Sequence, residues 1–234
     1  IQKGACILTV EMPMISAEFH CHTCYSKDSL LTLEALIAAA SAKGLDKVAV
    51  TDHNRIAGAL TAHKLAPDLV VIGEEIATTE GELLGYFVSE EVPKGLEPME
   101  AIRRLKAQGA FISLSHPFDT DRGACWTRKT LEEIVDHLDG VEVFNSRCIN
   151  TRFNVLAADF AREFNLLCLG GSDAHSQSEL GRTRLTIPDF DSADSLRAAL
   201  REARIHNRKS SPLIHFVSTA AKLVNKLHRT ESRC

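Results

Sequence analysis

The sequence predicts an α/β fold whose mainly parallel strands close toward a barrel. Three observations carry this expectation. Apolar runs of strand length alternate with helical patterns from residue 31 onward, seven such runs lie between residues 19 and 175, and most of them end in polar or ionisable residues. Strand and helix in repeated succession within one chain give a parallel sheet covered by helices. Seven strands suit a barrel better than an open sheet, and in such barrels the chemistry sits on loops after the C-terminal strand ends.

The first run lies in "AEFHCHTCYSKDS" (17–29). Side chains alternate along extended backbone, so His20 and His22 share one side and Cys21 faces the other. "TLEALIAAASAKG" (32–44) sets Leu33, Leu36, Ile37 and Ala40 at helical spacing, with Thr32 as cap and Gly44 as stop. "KVAVTDH", "DLVVIGEEIAT", "ELLGYFV", "AFISLSHP", "GVEVFNS" and "LLCLGGSDAH" are the remaining strand candidates. Helices are predicted at 97–109, 127–140 and 150–165, with Gly109 and Gly140 marking two ends. A closing helix is predicted over 189–204, where Leu196, Ala199 and Leu200 would face inward. Residues 1–16 read as an N-terminal extension, 17–205 as one domain, and 206–234 as a tail carrying a peripheral amphipathic helix.

The chain of 234 residues is 44% hydrophobic and 25% charged, enough for one sizeable core. Its formal net charge of -4 provides no general attraction for nucleic acid or anionic membrane, so binding must come from a local site. No apolar run of about 18 residues and no leader pattern appear, and a cytoplasmic location is expected. Seven scattered cysteines, an odd number, argue against a disulfide framework and for a reducing compartment. Cys21 and Cys24 form a C-x-x-C without a second pair, which disfavours a structural zinc site. The pattern is silent on oligomeric state.

The ionisable residues at the strand ends are His20, His22, Asp52, His53, Glu75, His116, Asp173 and His175. Each motif alone is weak, since a strand histidine is often an ordinary hydrogen-bonded residue. Together they would converge on one rim, where unpaired imidazoles and carboxylates are costly to bury unless an ion satisfies several at once. Nitrogen and oxygen donors without thiolate favour Zn²⁺, Mn²⁺ or Fe²⁺ over Mg²⁺. There are too many donors for one tetrahedral ion, so two or three divalent ions are expected, an arrangement suited to displacement at phosphorus.

"FHCHTCYSKDS", "AVTDHN", "VIGEEI", "SHPFD" and "GGSDAH", in this order, resemble the motifs of the PHP (polymerase and histidinol phosphatase) superfamily of metal-dependent phosphoesterases. The resemblance covers residues 17–205 and implies a distorted, TIM-like (β/α)7 barrel with a di- or trinuclear centre at the C-terminal rim. It implies that His20, His22, Glu75 and Asp173 hold one metal, with Glu75 bridging to a second that His116 also binds. Asp28 would join His53 and His175 on a third. Glu74 competes with Glu75, and the family's Gly-x-Glu spacing from Gly73 selects Glu75. Many relatives carry a histidine before "LLGYF" where this chain has Glu82, which is counted here as a metal ligand.

Arg122, Arg147 and Arg182 follow rim motifs and are candidate substrate-phosphate contacts, since guanidinium forks pair well with phosphate oxygens. The expected activity is hydrolysis of a small phosphomonoester by a metal-bridging hydroxide, with His20, His22, Glu75, Asp173 and His175 as the catalytic set. The alternatives are a phosphodiesterase or exonuclease on short nucleic acid or nucleotides, and a metal-binding barrel without turnover.

Overall fold

The computed structural model describes residues 12–122, 126–211 and 221. Strand β1 (Met14–Cys21) begins exposed and ends buried, as an apolar run entering a core must. It starts before residue 17, inside the expected extension. It pairs in parallel with β2 (Lys47–Val50), and β2 pairs in parallel with β3 (Val70–Ala77). Strand β4 (Glu82–Tyr86) then runs antiparallel between β3 and β5 (Phe111–Leu114), after which β6 (Gly140–Asn145) and β7 (Leu167–Gly171) resume parallel pairing. All seven expected strands form. Two further strands, β8 (Arg184–Pro188) and β9 (Arg204–His206), extend the sheet antiparallel beyond β1, giving the order β7-β6-β5-β4-β3-β2-β1-β8-β9. Their brevity and their arginine and proline ends gave no strand signal.

The sheet curls until its ends nearly meet. After β7 the chain bridges back to β1, with His22 N donating to Ala174 O at 2.8 Å and Ala174 N to His20 O at 3.2 Å. The result is a distorted, nearly closed barrel.

Helix α1 (Leu33–Ala42) starts at Thr32, whose hydroxyl accepts from Ala35 N. Helix α2 (Ala57–Leu65) contains His63 but has weak start signals: Ile56 at its start makes no side-chain cap, and Gly58 sits in its first turn. Packing supplies what local signals lack, because Ala59 and Ala62 join Leu36, Val48 and Val50 in one apolar cluster. Helix α3 (Pro98–Ala107) carries proline in its first turn. Helix α4 (Arg128–Ile134) is shorter than expected, tightening into a 3₁₀ turn at Val135–His137. Gly140 belongs to β6 instead of a helix end, where a Cβ would lie 2.8 Å from Leu167 O. Helix α5 (Thr151–Glu163) matches its expected span closely. Helix α6 (Ala193–Ala199) is shorter than 189–204 because a Ser192/Ser195 capping box sets its start.

A second apolar cluster packs Ile102, Leu105, Ile112, Leu131 and Phe160 between the sheet and α3, α4 and α5. The third joins Phe19, Tyr86, Phe111 and Leu169 to Leu196 of α6. Trp126 lies in the α3–α5 cluster against Gly81, so it serves the core. No helix among the described residues is long and apolar enough to cross a membrane. The expected tail helix lies outside the described residues, apart from Ala221.

Candidate metal centre

The end of β1 delivers His20 and His22, both fully buried, with their Nε2 atoms 3.1 Å apart. Cys21 between them turns into the core, its thiol 3.3 Å from Ala49 O. Strand β3 delivers Glu75, whose Oε1 lies 3.4 Å from His20 Nε2 and 3.1 Å from His116 Nε2, and accepts from Ser115 Oγ at 2.7 Å. Glu75 Oε2 lies 3.4 Å from His22 Nε2 and 2.9 Å from His53 Nδ1. Glu74, one residue earlier, points elsewhere and accepts from Val92 N at 2.9 Å.

Asp173, just past β7, sets Oδ1 3.2 Å from His22 Nε2 and 3.8 Å from His20 Nε2. Asp28 lies between two imidazoles, 3.4 Å from His53 Nε2 and 3.4 Å from His175 Nε2. Glu82, at the start of antiparallel β4, reaches to 3.6 Å from His116 Nε2. The structure therefore brings all nine expected ligand residues into one cluster. Within it three overlapping sets, His22/His53/His175, His20/His22/Glu75 and His53/Glu75/Glu82, each present donor atoms within 4.8 Å of one another.

The backbone is bent to achieve this. His116 and Asp173 adopt φ of 25° and 51°, as does Asn54 at 53°, a region that non-glycine residues enter at a cost and that gathers at functional sites. Gly171 permits the closest approach: a Cβ there would lie 2.3 Å from His20 Cβ and 2.4 Å from Glu142 Oε1.

Glu142, which the strand pattern concealed, organises the cluster from behind. Its Oε1 lies 2.9 Å from His20 Nδ1, and its Oε2 accepts from His116 N at 2.9 Å and Asn145 Nδ2 at 3.0 Å. A carboxylate can only accept, so His20 donates from Nδ1 and its Nε2 faces the other donors. Asp52 plays a similar part for the β1 loop, accepting from Thr23 N at 2.7 Å and from Thr23 Oγ1 and Ser26 Oγ at 2.6 Å each. One signal could have exposed Glu142: a carboxylate inside an apolar run, "VEVF", must have a partner if buried.

The electrostatics suit a cation. Burial would pull His20 down, but Glu75, Glu142 and Asp173 hold it well above the ordinary imidazole range, so positive charge is favoured at that point. Burial, with His53 and His175 adding like charge, brings His22 down to about 3 and keeps it neutral, the state in which imidazole binds metal. Burial opposes the charge on Asp28, yet His175 and His53 hold its carboxyl far below the usual range. Glu75 Oε2 is buried and receives no well-aligned hydrogen bond. A buried carboxylate oxygen held among convergent imidazole nitrogens is the arrangement a divalent cation satisfies. The donor set, nitrogen and oxygen without sulfur, fits a borderline metal.

The arginines separate. Arg122 donates to Asp173 Oδ2 at 2.6 Å, Asp119 Oδ2 at 2.9 Å and Asn145 Oδ1 at 3.2 Å, so its fork orients Asp173 at the cluster edge. Arg147 is buried, with Nη1 2.6 Å from His175 Nδ1 and Nε 3.5 Å from Glu179 Oε1. Arg182 lies apart from the cluster. It donates to Lys209 O at 2.9 Å and lines a different cleft. Cys24 is disulfide-bonded, which the odd, scattered cysteine count did not suggest.

Residues 18–80 match the PHP domain model and residues 151–205 the PHP-associated model. An uncharacterized protein of Methanocaldococcus jannaschii is 40% identical over 146 residues, 56% of this chain and 82% of the relative. A two-domain protein from Bacteroides vulgatus, containing a predicted PHP-like metal-dependent phosphoesterase, superposes with a TM-score of 0.69 at 20% identity, covering 84% of this chain and 66% of that one. A lesion-specific endonuclease from Pyrococcus furiosus superposes with a TM-score of 0.59 at 19% identity, covering 86% of this chain and 60% of that one. The chain thus spans under two thirds of either solved protein. The PHP domain match falls on the stretch that carries His20, His22, Asp28, His53 and Glu75, five of the clustered residues. The chain belongs to the PHP family.

Proposed function

We propose that the protein hydrolyses phosphomonoesters at a centre of two or three divalent ions, Zn²⁺, Mn²⁺ or Fe²⁺ in preference to Mg²⁺. The observation that carries this reading is the overlap of three donor sets, within 4.8 Å each, around Glu75 and His22. Divalent ions at such a cluster supply Lewis acidity and a water made nucleophilic at neutral pH.

In this reading His20, His22, Glu75 and Asp173 hold one ion, Glu75 with Glu82 and His116 a second, and Asp28, His53 and His175 a third. Glu142 and Asp52 orient the ligands behind them. Arg122 fixes Asp173, and as a guanidinium at the cluster edge it would be a candidate contact for a substrate phosphate. Arg147 steadies His175. Proton traffic falls to the imidazoles at the cluster edge, of which His53, with 29% of its side chain exposed, faces solvent most.

The test is phosphate release from an aryl phosphate by purified protein, abolished by chelation and restored by Mn²⁺ or Zn²⁺. His22→Ala should reduce turnover at least about a hundredfold, since it contributes to two donor sets. Undiminished turnover would sink the proposal. Similarity to a lesion-specific endonuclease supports a second reading, cleavage of phosphodiesters in short nucleic acid. Release of nucleotides from a labelled oligonucleotide, faster than phosphate from the aryl ester, would favour it.

A further inference from the structure

A second cleft, of about 580 Å³, opens beside the β8–β9 edge and contains none of the metal-centre residues. Lys43 from the end of α1, Arg182 and Arg184 from the β7–β8 connection and β8, and His206 and Arg208 from β9 and beyond all line it, and among the described residues no carboxylate does. On a chain whose formal charge is -4, such a concentration of cations is a departure from the average surface.

Three features distinguish this cleft from a charged sheet edge, where exposed lysines and arginines merely discourage strand pairing. The cations come from separate segments and converge. Arg184 and His206 face each other directly across the β8–β9 pair, so the two strands present both side chains at one point of the cleft. Among the described residues, Arg182, Arg184 and Arg208 form no ion pair with any carboxylate, although arginines elsewhere in the chain do so repeatedly.

The cleft wall is also built. Lys43 Nζ donates to Gln177 O and Leu180 O, each at 2.6 Å, pinning the loop that leads away from His175. Gly181 N donates to the buried Glu18 at 3.0 Å, and Arg182 donates to Lys209 O at 2.9 Å, tying the loop to the segment after β9. Burial together with the Arg182 charge lowers the Lys43 ammonium below its ordinary range, which marks the crowding of positive charge. The same short loop, residues 176–181, thus joins the metal centre to the cleft.

We propose that this cleft binds adjacent phosphate groups of a multiply phosphorylated ligand, through the guanidinium forks of Arg182, Arg184 and Arg208 with Lys43 as a point charge. Guanidinium matches phosphate bidentately, and several unneutralised cations select a ligand with several negative charges over a single phosphate. Among the described residues no phenylalanine, tyrosine or tryptophan lines the cleft, so recognition would fall on phosphates and not on stacked bases. The chemistry is shared by an oligophosphate and by the backbone of a short single-stranded nucleic acid.

The experiment measures binding of inorganic tripolyphosphate by calorimetry and of a fluorescently labelled oligothymidylate by anisotropy. Wild type is compared with Arg184→Gln/Arg208→Gln, both exposed positions whose side chains make no described hydrogen bond. The variant should bind at least about tenfold more weakly, keep its unfolding temperature, and retain its phosphate release from an aryl phosphate. For the oligonucleotide, the salt dependence of log K should flatten by about 1.4, two phosphate contacts at about 0.7 each. Repeating the measurement with chelated protein separates this cleft from the metal centre, since the difference between wild type and variant should survive chelation. Tripolyphosphate bound tightly while the oligonucleotide is ignored identifies a small oligophosphate as the ligand, and tight salt-dependent oligonucleotide binding identifies a nucleic-acid backbone. Equal affinities of wild type and variant for both probes, or no binding by wild type, overturns the proposal whatever the catalytic result.

Discussion

Glu142 Oε1 lies 2.9 Å from His20 Nδ1, and the same carboxylate accepts from the backbone N–H of His116. One buried side chain therefore aims an imidazole from β1 and fixes the turn after β5. Glu142→Gln can keep the shape but substitutes a neutral amide for the charged acceptor. Metal affinity measured by competition with a chromophoric chelator should fall about 10- to 100-fold, the usual cost of losing such a partner. Far-ultraviolet circular dichroism should be unchanged. Unaltered affinity would remove Glu142 from the account.

Gly171 offers a steric test of the same contact. A Cβ would meet His20 Cβ at 2.3 Å and Glu142 Oε1 at 2.4 Å, far inside normal contact. Gly171→Ala should destabilise the metal-free protein by about 1–3 kcal/mol, the range for overpacking a tight core. Metal content should drop with it. Thermal unfolding of chelated samples reads the first effect and elemental analysis the second.

Asp28 tests whether the cluster is divided. It approaches His53 and His175, whereas His20 approaches His22, Glu75 and Asp173. Asp28→Asn and His20→Ala should each lower the metal content, and the two losses should add in the double variant. If both single variants and the double variant lack the same single ion, the division is wrong.

Glu74 gives a pH dependence independent of the metal ligands it adjoins in sequence. Burial, with the nearby Glu91 charge adding to it, raises its carboxyl from the ordinary 4.5 to about 8, while the Val92 N–H opposes the rise. The folded state therefore retains a proton that the unfolded chain releases above about pH 4.5. Stability from this group is full below that pH and declines as pH rises toward about 8, because the unfolded state binds fewer protons. Glu74→Gln keeps an acceptor for Val92 N and cannot ionise. Its unfolding temperature should exceed that of the wild type by a few degrees at pH 8 and converge with it near pH 4.5. Parallel unfolding curves across that range would refute the assignment.

How much was legible depended on where each residue's signal lay. His20, His22, Glu75, His116 and Asp173 stand at the ends of apolar runs, and period-two alternation with strand-end placement was enough to gather them. Glu142 and Ser115 act from within or just after a strand, where a polar residue looks like solvent-facing alternation until the partner across the barrel is known. Arg182 shows the converse. Its position after "GGSDAH" suggested the rim, but the loop pinned by Lys43 carries it into another cleft. The positive φ of His116 and Asp173 left no trace in composition, because neither is a glycine. Helix α2 lacked start signals and β8 and β9 lacked length, so tertiary packing decided all three.

The antiparallel course of β4 also bears on how the protein assembles. It joins β3 through a turn in which Thr78 N donates to Gly81 O, and the ladder pairs Glu75 with Leu84 and Ala77 with Glu82. Two acidic residues of the cluster thus meet through a hairpin of low contact order, the sort of local pairing that forms on the microsecond scale. The meeting of His22 with Ala174 spans most of the chain and must await loop closure. In pulsed hydrogen exchange, amides of β3 and β4 should be protected early and those at the β1–β7 seam late. Refolding kinetics, more than stability, would then register which half of the rim a substitution strikes.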